Sequence, residues 1–96
     1  MNDERYRIVN LPLASSQLRA ILDAAAVRGR LQEVVEAGEW MHSELERNPM
    51  EFGESRDFKI ASQLYIRVGF VASLFVLFGV HETRKVVFVL KMGWKG

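Results

Sequence analysis

The chain has 96 residues, 49% of them hydrophobic and 26% charged, with no cysteine and a formal net charge of +1. That length leaves room for one domain, residues 1–96, and the composition excludes the low-hydrophobicity, high-charge signature of disorder. Without cysteine there is neither a disulfide framework nor a thiolate metal site, so a reducing compartment, the cytoplasm, is the expected location.

Met1-Asn2-Asp3-Glu4-Arg5 is charged and leads into no continuous apolar run, so no signal peptide is expected. Tyr6 and Ile8 alternate with Arg7 and Val9 before Pro12, which predicts a short first strand at a sheet edge. Ser15 or Ser16 then offers a cap for a helix in which Leu18, Ile21, Leu22 and Ala25 recur at helical spacing. Gly29, between Arg28 and Arg30, marks a break that would fold the segment into a helical hairpin, since glycine inside a helix costs about 1 kcal/mol relative to alanine. Leu31, Val34, Val35, Met41 and Leu45 carry the second helix to Asn48-Pro49, where the residue before proline is driven out of the helical region. The segment from Glu51 to Asp57, with Gly53 and no periodicity, reads as an exposed connection.

From Leu64 onward the chemistry is that of strands. Leu64 to Phe70, Leu74 to Val80 and Val86 to Met92 are rich in β-branched and aromatic residues, and hairpin-length separators predict an antiparallel meander. The longest apolar stretch, Val68 to Val80, is shorter than the roughly 20 residues a membrane span needs. Alternation places Leu64, Ile66, Val68 and Phe70 on one face with Leu74, Val76, Phe78, Val80, Val86, Phe88, Leu90 and Met92, and this face is expected to carry the helices. The opposite face, with Tyr65, Arg67, Phe75, Leu77, Val87, Val89 and Lys91, is too apolar to stay in water and should be covered. Charge divides the same way as structure: residues 1–56 hold seven Lys/Arg against ten Asp/Glu, residues 57–96 six against two, so the sheet half is basic.

An α+β chain with a short N-terminal strand, an α-helical hairpin closed by Leu45-Glu46-Arg47-Asn48-Pro49 and a three-stranded antiparallel meander resembles the RelE/ParE toxin superfamily. Leu64-Tyr65-Ile66-Arg67, Leu74 to Val80 and Val86-Val87-Phe88-Val89-Leu90 look like that family's second, third and fourth strands. The resemblance implies a toxin-antitoxin protein of bacterial type, with an antitoxin as partner and either the ribosome and its mRNA or DNA gyrase as target. Ribonuclease members cut mRNA without metal or cofactor, using cationic side chains and a base on the open face of the sheet. On this pattern Arg67, Lys91 and Lys95 are the candidate catalytic residues, stabilising negative charge on a scissile phosphate. The sequence departs from the pattern at Ser73-Leu74-Phe75, where an arginine usually opens the third strand, and it ends at Gly96 before a catalytic tyrosine.

The residues themselves leave alternatives. Arg67 either binds phosphate or lies over Tyr65 or pairs with a carboxylate, and Lys91 and Lys95 with Trp94 between them either present a basic stacking surface to RNA or are simply solvated. His81 beside Glu82 is a candidate base or an exposed turn histidine; His42 suits an ion pair with Glu46 on the helix surface. Two histidines so far apart predict no metal site. The first functional reading is therefore a ribosome-dependent endoribonuclease with the three cations in one groove. The second is a non-catalytic module that homodimerises or binds a partner through an apolar sheet face of Tyr65, Phe75, Leu77, Val87 and Val89, with no membrane partner.

Overall fold

A computed structural model describes residues 5–96; the charged start at residues 1–4, from which no signal peptide is expected, lies outside the described residues. The element order is β1 (Arg7–Asn10), α1 (Pro12–Val27), α2 (Leu31–Arg47), β2 (Glu54–Lys59), β3 (Leu64–Val71), β4 (Leu74–His81) and β5 (Val86–Trp94). Proline opens α1 at its first turn, with Leu11 rather than a serine as the capping residue. Its fixed φ suits that position and its missing N–H costs nothing there, so Ser15 and Ser16 fall inside the helix instead of capping it. Gly29 turns the chain at φ +70, α2 follows at once, and Asn48-Pro49 ends it.

The meander of β3, β4 and β5 is present, but it is the middle of a larger, mixed sheet of five strands in the order β1-β5-β4-β3-β2. β1 lies at one edge, parallel to β5, with Ile8 opposite Val87. β2 forms the other edge, antiparallel to β3, where an exposed connection was expected. All six of its residues are exposed; backbone pairing with β3 holds it, and no apolar alternation announces it in the sequence.

Both helices lie on one side of this sheet. Their buried residues, Ile21 and Ala25 from α1 and Val34, Ala37, Met41 and Leu45 from α2, meet Leu74, Val76, Phe78 and Val80 of β4 and Val87 and Val89 of β5 in a single core. Phe52, from the loop after α2, closes it by stacking on Phe78 with ring centroids 5.9 Å apart. It reaches that place because Gly69 has no side chain; a Cβ there would collide with the Phe52 ring. The molecule is 21 Å through its thinnest dimension, room for one helix layer and one sheet. No helix is long and apolar enough to cross a membrane among the described residues.

The register corrects two of the expected faces. The two-residue turn Ala72-Ser73 pairs Val71 with Leu74, so Tyr65, Arg67, Gly69 and Val71 share the helix side with β4's buried residues. Leu64, Ile66, Val68 and Phe70 therefore point away from the helices. On β5, Val87 and Val89 pair with Val80 and Phe78 on the helix side, and a bulge at Leu90 then shifts the register so that Met92 regains that side opposite Val76. Val86 and Phe88 consequently face the other way, and a one-residue change of register has exchanged the two sides of each strand.

Candidate functional site

The side of the sheet that no helix covers is built from alternate residues of three long strands: Leu64, Ile66, Val68 and Phe70 on β3, Phe75, Leu77 and Gly79 on β4, and Val86, Phe88 and Lys91 on β5. Phe70 is 57% exposed and its ring lies 5.9 Å from that of Phe75; Phe75 in turn lies over Gly93, whose missing side chain makes the space. Ile66 and Leu64 lean over Gly79, their terminal methyl carbons 3.3 to 3.6 Å from where a Cβ would sit. Apart from Lys91, the charge on this side lies at the margins. Glu54, Asp57 and Lys59 flank the face on β2, where Lys59 approaches Asp57 at 2.9 Å, and Arg7 flanks it on β1. The Lys59 ammonium, helped by the Phe58 amide, holds the Asp57 carboxyl below its usual value and has its own raised in return.

The candidate catalytic cations do not converge. Arg67 points to the helix side, where its guanidinium donates to the carbonyl oxygens of Phe52 (3.2 Å) and Gly53 (3.0 Å), tying β3 to the loop that carries Phe52. Lys91 pairs opposite Leu77 and so lies on the far side of the sheet from Arg67. Lys95 is exposed beyond the end of β5, its backbone N–H donating to Ser73. Trp94, which one reading of the sequence made a stacking surface between the two lysines, is on the helix side, with the guanidinium carbons of Arg28 and Arg30 5.6 and 5.1 Å from its ring centre. No protein-family model matches this chain, and neither does any curated protein or solved structure.

Of the residues expected on a binding face, Phe75 and Leu77 are on the open side and half-buried. Tyr65 is on the helix side, its ring 4.6 Å from Phe58, while Val87 and Val89 are core residues at 0% and 3% exposure. The residues that take their place, Leu64, Ile66, Val68, Phe70 and Phe88, were legible as strand residues but assigned to the core. The two-residue hairpin at Ala72-Ser73 carried the missing signal, since a turn of that length fixes which residues face each other.

The histidines serve turns and surfaces. His81 Nδ1 accepts from the Arg84 amide at 3.2 Å, and His42 Nε2 lies 3.9 Å from Glu46 on the exposed side of α2. No three metal-ligating side chains gather among the described residues. A second apolar recess of about 420 Å³ opens between α1 and α2, floored by Val76 and Val89 and rimmed by Glu39 and His42.

Proposed function

We infer that this protein is a non-catalytic interaction module with RelE/ParE-like element order, working by burying the open side of its sheet against another protein surface. The uncovered side of the β3-β4-β5 meander, with Phe70, Phe75, Leu77 and Phe88 on it, carries the reading. At about 16 Å² of flat sheet per strand residue, the 8, 8 and 9 residues of these strands extend over about 400 Å², and soluble monomers rarely expose a contiguous apolar patch beyond a few hundred Å². The edges are poor alternatives for association. β1 has four residues, and β2 is charged and bulged between Ser55 and Asp57, both features that discourage strand addition.

Chemistry at the same face is disfavoured by placement. A metal-free ribonuclease needs cations and a base around one phosphate. Arg67 is turned to the opposite side and committed to two backbone carbonyls, so it does not share a face with Lys91.

Hydroxyl-radical footprinting tests the reading, because phenylalanine is labelled in proportion to its access to water. Phe70, Phe75 and Phe88 should be protected at working concentration in cell extract and become labelled in the dilute purified chain. Equal labelling in both states would refute binding through this face.

A further inference from the structure

Building on that reading, we propose that the occupant of the open face is a second copy of this chain, with the two sheets stacked about a two-fold axis running along β4. The area is sufficient when the edge strands β1 and β2 are included: each five-stranded face then extends over about 550 Å², and two would bury about 1,100 Å² before side-chain relief is counted, past the roughly 1,000 Å² that a specific interface needs.

The strand order supplies the symmetry. β4 is third of five, so half a turn about it lays β3 over the second copy's β5 and β2 over its β1, leaving no strand unopposed. In the row through Gly79, Ile66 and Phe88 stand on either side of the axis, so Ile66 of each copy meets Phe88 of the other.

Charge selects this axis over one running across the strands. Glu54, Val68, Leu77 and Lys91 form one row across the sheet. Rotation about β4 brings Glu54 of the second copy one strand spacing outward from Lys91, and the two long side chains span the roughly 10 Å between stacked sheets. The same rotation sets Arg7 in line with Lys59, through Val86 and Leu64, where Asp57, 2.9 Å from Lys59, supplies the carboxylate. An axis across the strands would stack β5 on β5 and β1 on β1, where the open-side strand residues include Lys91 and Arg7 but no carboxylate.

Sedimentation equilibrium on the purified chain tests this. The native protein should dimerise, Lys91→Glu should weaken the dimer at least about tenfold by setting carboxylates against each other, and Lys91→Glu combined with Glu54→Lys should restore it. Both positions are exposed, so neither change should unfold the monomer. A dimer indifferent to Lys91→Glu, or not rescued by the double exchange, would overturn the axis. A native monomer whose Phe70, Phe75 and Phe88 are nonetheless protected in extract would overturn the second copy while leaving the interaction reading intact; a dimer that leaves them labelled would overturn both.

Discussion

Leu74, Val76, Phe78 and Val80 project from β4 toward the helices and are at most 1% exposed, while their neighbours Phe75 and Leu77 project the other way and stay half-buried. The two sides of this strand differ little in hydrophobicity. They differ in what lies over them: α1, α2 and Phe52 on one side, water on the other. An apolar run without polar alternation therefore marks a strand that is to be covered on both sides, and it is silent about whether the second cover comes from the same chain. Here the first cover produces the fold and the second, on our reading, produces the function.

Glycines on opposite sides of the sheet sharpen this comparison most. Gly69→Ala would drive a methyl into the Phe52 ring, which is buried and stacked on Phe78, and should cost about 1–3 kcal/mol in urea unfolding. Gly79→Ala would meet the movable ends of Ile66 and Leu64 at 3.3 to 3.6 Å on the open side and should cost less than about 1 kcal/mol in the dilute chain. Comparable losses would show that both sides are packed alike.

A smaller effect separates structure from chemistry at Arg67. Arg67→Met keeps much of the side chain's length but leaves the Phe52 and Gly53 carbonyls without their donor, so the unfolding free energy should fall by about 1–2 kcal/mol. Unchanged stability would release the arginine from the structural role assigned to it.

Much of this architecture was legible in the sequence, and the failures have identifiable causes. The helical hairpin followed from the stripes through Ile21, Ala25, Val34, Met41 and Leu45, from Gly29 and from Asn48-Pro49, each a local signal with a local effect. β2 was illegible because an edge strand exposed along its whole length has no periodicity to show. The faces of β3 and β5 went the other way for two reasons. On β3 the uniformly apolar set, Leu64, Ile66, Val68 and Phe70, points outward, the opposite of what burial by the chain's own core would select. On β5 the run Val86-Val87-Phe88-Val89-Leu90 is apolar at every position, so alternation could not choose a side, and the bulge at Leu90 breaks any parity carried back from Met92. Phe75 and Leu77 were placed correctly because β4 alternates large inward residues with glycine-relieved outward ones.

The most direct test of the central claim compares adjacent residues of β4, Val76→Lys and Leu77→Lys, by urea unfolding of the dilute chain. Val76 is fully buried, so its replacement strands a charge in the core and should abolish most of the stability. Leu77→Lys should unfold within about 1 kcal/mol of the native chain, because its ammonium reaches water on the open side. A loss at Leu77 as large as that at Val76 would contradict the account, for it would mean that the chain covers this face itself.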